Sequence, residues 1–166
     1  RSMSPLGIGP VLKDRSAVNI GVVSCMSYLD DKGFGPSLVH RNGVTRARMF
    51  QEITIAQQTD CSDDAALAAA LDQLEATLNS PLGNMKGDYC VGQYTLADCA
   101  WAGVCQVATN MGKGTAVSSR SAVNTWFAAV QSHPSTSKEA INPFSCLSTK
   151  ADHDGNTMRD VRINTA

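Results

Sequence analysis

The sequence predicts a mainly α protein, a helical bundle preceded by a short β-β-α segment. Three observations carry that reading. Aromatic residues make up only 5% of the chain, so the core must be built from Ala, Leu, Val and Ile, which suit close helix packing better than a sheet sandwich. Leu67, Leu71, Leu74 and Leu78 recur at helical spacing, an apolar stripe of period 3.6. The stretch from Leu96 to Ala108 is apolar almost all round, the pattern of a central helix covered on every side.

The elements follow in order. Residues 1–20 are rich in Gly and Pro. Gly9-Pro10-Val11-Leu12 reads as a turn into a short strand, Lys13 to Ser16 as a turn, and Ala17 to Ile20 as a second strand. Residues 22–31 read as a helix, closed by the breaker Gly33-Phe34-Gly35-Pro36. Asn42-Gly43 reads as a turn within a loop. A helix is expected over 44–59, with Ala47, Phe50, Ile53 and Ala56/Gln57 on its inner face. Asp60 to Asp64 supplies N-caps for the leucine helix, whose interior alanines are the best helix formers. Asn79-Ser80-Pro81-Leu82-Gly83 ends it. Thr95-Leu96-Ala97-Asp98 opens the next helix with a capping box, Thr95 at the N-cap and Asp98 three residues on. Met111 to Thr115 reads as a loop. Ala122, Val123, Trp126, Phe127 and Val130 mark a fourth long helix, ended by His133-Pro134, and Ser135 to Ala140 a short fifth. The tail from Ser148 is polar and reads as extended or mobile.

Composition narrows the function classes. Lys plus Arg is 14 and Asp plus Glu is 15, a formal net charge of -1. Nucleic-acid-binding domains carry a basic excess, so none is expected as a direct partner. Hydrophobic residues at 43% against 17% charged exclude a disordered chain. No apolar run approaches the roughly 18 residues of a membrane span, and no signal peptide pattern opens the chain. Six cysteines (Cys25, Cys61, Cys90, Cys99, Cys105, Cys146) form no C-x-x-C pair. Most sit in apolar helical patterns, where Cys packs as a small hydrophobe. Reduced thiols and an intracellular, cytoplasmic location are expected.

Several motif matches fail. Gly112-Lys113-Gly114-Thr115 has no Ser or Thr directly after the Lys and no Gly five residues before it, as a phosphate loop requires. Asp152-His153-Asp154-Gly155 has its Gly too early for a calcium loop and lacks the closing Glu. His40, His133 and His153 have no ligand spacing, so no metal site is expected.

The most specific signal is Gly87-Asp88-Tyr89-Cys90-Val91-Gly92-Gln93-Tyr94-Thr95-Leu96-Ala97-Asp98-Cys99. An aromatic residue and then Thr-Leu-Ala-Asp feeding an apolar helix resembles the central helix start of the helical half of glutathione transferases. Asn124-Thr125-Trp126-Phe127 before His133-Pro134-Ser135 is similar to the family's following Trp-containing helix. Gly9-Pro10-Val11-Leu12 resembles its cis-proline turn before a strand. Tyr28 to Leu38 resembles the end of its thioredoxin-like half and the linker onward. The resemblance covers roughly residues 9–147 and implies three parts: a truncated thioredoxin-like remnant over 1–36, a glutathione-transferase C-terminal-like helical domain over 37–147 and a polar tail over 148–166. An omega- or zeta-like class is expected within the superfamily.

The resemblance also implies what to expect of function. The family's opening strand, helix and strand carry the Tyr, Ser or Cys that activates the glutathione sulfur, and this sequence starts almost at the proline. No catalytic residue is therefore assigned. The family places Glu-Ser or Gln-Ser seven residues before the Tyr-Leu pair, to hold the γ-glutamyl carboxylate at a helix N-terminus. Gly21 and Val22 stand there instead. Pro10, Val11 and Ser24 are left as residual glutathione-binding candidates, and Thr95 and Asp98 have a structural, capping role. No resident cofactor is expected, with glutathione as a possible substrate or ligand. Two strands without their parallel partner leave sheet edges to cover. A homodimer or a place in a larger protein complex is expected, with residues 44–78 as the candidate surface. The leading expectation is a non-catalytic interaction module. The alternatives are an active glutathione transferase or thiol reductase, of which this is a truncated or divergent chain, and a carrier of apolar small molecules.

Overall fold

A computed structural model describes residues 11–14, 17–32, 37–80 and 87–133. These form two compact units, 11–32 and 37–133. The sequence motifs at 1–10, 33–36 and 81–86, the short helix at 135–140, the acidic loop at 152–155 with His153, Cys146 and the tail lie outside the described residues.

The first unit is a hairpin with one helix. Strand β1 (Val11–Asp14) pairs antiparallel with β2 (Ala17–Ile20), with Val11 opposite Ile20 and Asp14 opposite Ala17. The strand thus includes Lys13 and Asp14, which the sequence reading gave to the turn. Asp14 is held in the ladder and also accepts the Tyr28 hydroxyl proton at 2.6 Å. Tyr28 belongs to α1 (Val22–Lys32). Gly21, with φ +89°, makes the left-handed step from strand to helix, a conformation that a side chain would strain.

The second unit is the helical bundle. It comprises α2 (Gly43–Gln58), α3 (Asp64–Asn79), α4 (Leu96–Asn110), α5 (Gly114–Ser118) and α6 (Ser121–Ser132). The long helices do not pair in sequence order: α2 packs on α4 and α3 on α6, with short α5 against α4 and α6.

Asn42 is a helix cap rather than a turn residue. Its Oδ1 accepts the N–H groups of Val44 at 2.9 Å and Thr45 at 3.2 Å, which satisfies two orphan donors of α2. The buried face of α2 is Met49, Glu52, Ile53 and Ala56. Of the expected face, Ala47 and Gln57 are exposed and Phe50 is half-buried. The displacement follows from Glu52, a charged residue that hydropathy places outside and that the structure buries completely. On α3 the leucine stripe is buried at Leu67, Leu71 and Leu74, and Leu78 is half-buried. Asp63 caps α3 by accepting from Ala65 and Ala66.

Helix α4 is not covered on every side. Leu96, Ala97, Trp101, Val104, Cys105 and Ala108 are buried, but Gly103 and Val107 are exposed. Apolar residues of small volume let that face meet water at little cost, which a residue-type pattern cannot reveal. The segment read as a loop at 111–115 contains the start of α5. Gly112, at φ +79°, ends α4, and the Lys113 N–H returns to the Ala108 carbonyl at 2.9 Å, the usual left-handed helix ending. Lys113 Nζ donates to the carbonyls of Cys61 and Ser62 at 2.8 Å each and pairs with Asp64 at 2.6 Å. The only cation of the failed phosphate-loop match is thereby engaged within the bundle.

Helix α6 has no cap of its own: Arg120 precedes it without a capping side chain. Glu75, on α3, supplies the acceptors instead. Its two carboxylate oxygens take the Ala122 N–H at 3.0 Å and the Val123 N–H at 2.8 Å, an anion at a helix N-terminus. Arg120 fastens the same corner through Asp72 at 2.7 Å and the Ala68 carbonyl at 3.1 Å. Glu75→Ala is expected to cost about 1–2 kcal/mol, the range of a lost N-cap. Urea unfolding checks it, and an unchanged midpoint would refute the shared cap. No helix among the described residues is long and apolar enough to cross a membrane.

Candidate functional site

The sequence candidates fall in both units. In the first, Val11 sits at the start of β1 opposite Ile20. Ser24 lies in the first turn of α1, and its hydroxyl donates to Asn19 Oδ1 at 3.4 Å. Pro10 lies outside the described residues. At the head of α1, Gly21 and Val22 bring no side-chain donor. The first backbone N–H groups of a helix have no intrahelical partner and favour an anion, so those two positions offer a ligand backbone groups alone.

Sequence reasoning missed Asn19. Its Oδ1 receives Ser24, while its Nδ2 is buried with no hydrogen-bond partner among the described residues. The carbonyl of the same residue accepts the Cys25 thiol at 3.5 Å. Nothing in its spacing marks it, because Asn in a short strand reads as a turn residue.

In the second unit Thr95 and Asp98 form the capping box of α4. Asp98 does more than cap. Its Oδ2 accepts the Thr95 N–H at 2.9 Å and the Thr95 hydroxyl at 3.3 Å. Its Oδ1 accepts the Cys90 N–H at 3.0 Å and the Trp126 indole N–H at 2.8 Å. The carboxylate is fully buried, and no ion pair to it occurs among the described residues. Four donors therefore replace its hydration. They tie the loop before α4, the start of α4 and the middle of α6 to one group. Burial first, and then the Asp98 charge, push the Cys90 thiol well above the usual range, so Cys90 is an inert core residue.

The loop leading to Asp98 explains the glycines of the motif. A Cβ on Gly87 would overlap the Gly92 carbonyl, and Gly92 itself adopts φ +90°. Tyr89, Tyr94 and His133 then cluster beside it, with Tyr94 stacked on His133 at 3.9 Å between centroids.

A second buried carboxylate lies between α2 and α4. Glu52 accepts the Trp101 indole N–H at 3.1 Å and pairs with Arg48 at 2.8 Å. The described residues contain no group of three side chains able to hold a metal ion.

No protein-family model matches the chain, and no curated protein matches it. Among solved structures, the chain is similar to the holo structure of maleyl pyruvate isomerase, a bacterial glutathione S-transferase of the zeta class. The two are 18% identical with a TM-score of 0.64, over 82% of this chain and 76% of that one. Two antiparallel strands and a helix, followed by a helical bundle whose central helix starts at a capping box, are the parts the resemblance named. The fold of this chain is that of the glutathione S-transferases, with the zeta class among its structural neighbours.

Proposed function

We propose that the protein is a glutathione-transferase-like module that acts through protein contacts and does not turn over glutathione. The observation that carries this reading is the head of α1. Gly21 and Val22 occupy the place where the resemblance implies a carboxylate-holding pair. Losing side-chain donors to a charged ligand group removes interactions of about 1.5–3 kcal/mol each, enough to abolish retention. In this reading the outward faces of α2 and α3, within residues 44–78, form the contact surface of a homodimer or of a larger complex in the cytoplasm. Val44, 72% exposed at the start of α2, is the most open large apolar side chain of that surface.

A second reading is favoured by one observation, the unpartnered Asn19 amide beside Ser24. A donor left over at a helix N-terminus suits a carboxylate, and the structural neighbour is a maleyl pyruvate isomerase described as a zeta-class glutathione S-transferase. One experiment separates the two. The full-length protein is passed over immobilised glutathione and assayed with a generic aryl halide, while its mass in solution is measured by light scattering. The module reading expects passage without retention, no turnover, and a dimer or a larger assembly. Retention with turnover, or a clean monomer that recovers no partner, would overturn it.

A further inference from the structure

The loop joining α2 to α3 brings a cysteine onto the central helix. Cys61 is half-buried, and its thiol lies 3.9 Å from the carbonyl oxygen of Val104. The next residue on α4 is Cys105, which is fully buried. Lys113 fixes this approach: its ammonium holds the carbonyls of Cys61 and Ser62, and its own N–H is bonded to Ala108 on α4. The loop is therefore pinned to the helix that carries the second sulfur. The Cys61 sulfur rests on the residue before Cys105, and the Cys61 charge bears on the Cys105 thiol, so the loop sulfur and the helix sulfur face the same seam. The other described cysteines are placed differently. Cys25 and Cys90 are buried, and Cys99 contacts the Tyr94 hydroxyl at 3.3 Å.

We infer that Cys61 and Cys105 form a reversible disulfide, made by exchange with a low-molecular-weight disulfide, that clamps the α2–α3 loop to α4. Cys61, the half-exposed partner, reacts first. Its thiolate attacks one sulfur of the small disulfide, whose S–S bond breaks; one small thiolate leaves and takes a proton from water. Cys105 then gives up its proton and attacks the Cys61 sulfur of the mixed disulfide, and the second small thiolate leaves and is protonated. Two electrons pass from the protein to the small disulfide, and two protons end on its two thiols.

The clamp is slow by construction. Burial pushes the Cys61 thiol up, and burial followed by the neighbouring Cys61 charge pushes Cys105 to about 12. Thiolate is the attacking form, so the exchange accelerates as pH rises through and beyond the ordinary thiol range. A bond closing so long a loop constrains the unfolded chain, so the oxidised protein melts at a higher temperature than the reduced one.

The test uses the folded full-length protein with 2-hydroxyethyl disulfide at mildly alkaline pH, followed by alkylation and peptide mapping without reduction. The expected product is a Cys61–Cys105 linked peptide with the loss of two hydrogen atoms and a raised melting midpoint. Cys61→Ser, at a half-exposed loop position, leaves Cys105 unmodified, and Cys105→Ala stops at a mixed disulfide on Cys61. A mixed disulfide that persists on Cys61 in the wild type, a bridge from Cys61 to another cysteine, or an unmodified Cys61 would overturn the assignment.

Discussion

Replacing Asp98 with alanine is expected to destabilise the bundle by about 4 kcal/mol. The change leaves the Cys90 N–H, the Thr95 N–H and the Trp126 indole N–H buried without an acceptor. Each orphaned donor costs on the order of 1–3 kcal/mol, and partial collapse of the site returns some of that sum. Asp98→Asn is expected to fare little better. The amide keeps the volume but offers a single acceptor oxygen, and its NH₂ group faces donors. Trp126→Phe removes one of the donors and leaves the carboxylate with the rest, so it should cost only about 1–2 kcal/mol beyond the lost packing. The double mutant then discriminates. Its cost should fall well below the sum of the two singles, because the groups share one network. Guanidinium unfolding of the four proteins measures this, and an additive cycle would sink the account of Asp98 as a shared acceptor.

Glu52→Ala is expected to cost about 3 kcal/mol. The loss leaves the Trp101 indole N–H unpaired in the centre of the bundle and takes the ion-pair partner from Arg48. Removing one member of a buried pair typically costs about 3–5 kcal/mol. The lower end applies here because Arg48 is 21% exposed and can turn to water. Glu52→Gln keeps an acceptor for Trp101 and should cost about half as much. Paired replacement of Glu52 by Met and Trp101 by Phe removes the polar requirement from both sides and should recover much of the loss. If Glu52→Ala unfolds within about 1 kcal/mol of the wild type, the carboxylate is not what holds α2 to α4.

Both residues mark where the sequence stopped being readable. The leucine stripe of α3 and the capping box at Thr95 and Asp98 were legible because their partners lie within one or two turns, and local spacing encodes such contacts. Asp98 could be read as a cap but not as a hub, since Trp126 lies 28 residues away. Glu52 was not singled out, because its partner, Trp101, is 49 residues distant. A buried charge is decided by what faces it, and no window of a dozen residues contains that information. The same reason hides the cap of α6. Ser121 by residue type suggests a cap, but it is the first helical residue, and the acceptors come from Glu75 on another helix. α5 was lost for a different reason. Five residues with glycine at the head carry too little periodicity to distinguish a short helix from a loop. At the candidate ligand site the outcome was thinner. Ser24 was legible as a polar residue in the first turn of α1, while the spare donor on Asn19 depends on the packing around it.

The borrowed cap of α6 has a consequence for the birth of the protein. A chain leaves the ribosome from its N-terminus, so Glu75 and Asp98 emerge well before Trp126 and the first turn of α6. Until then Glu75 keeps its hydration, and Asp98 lacks the indole donor that completes its shell. The bundle cannot close helix by helix in the order of synthesis. The last long helix supplies the donors that two earlier carboxylates require, and nascent chains stalled before Ala122 should stay protease-sensitive while those stalled well beyond Ser132 resist.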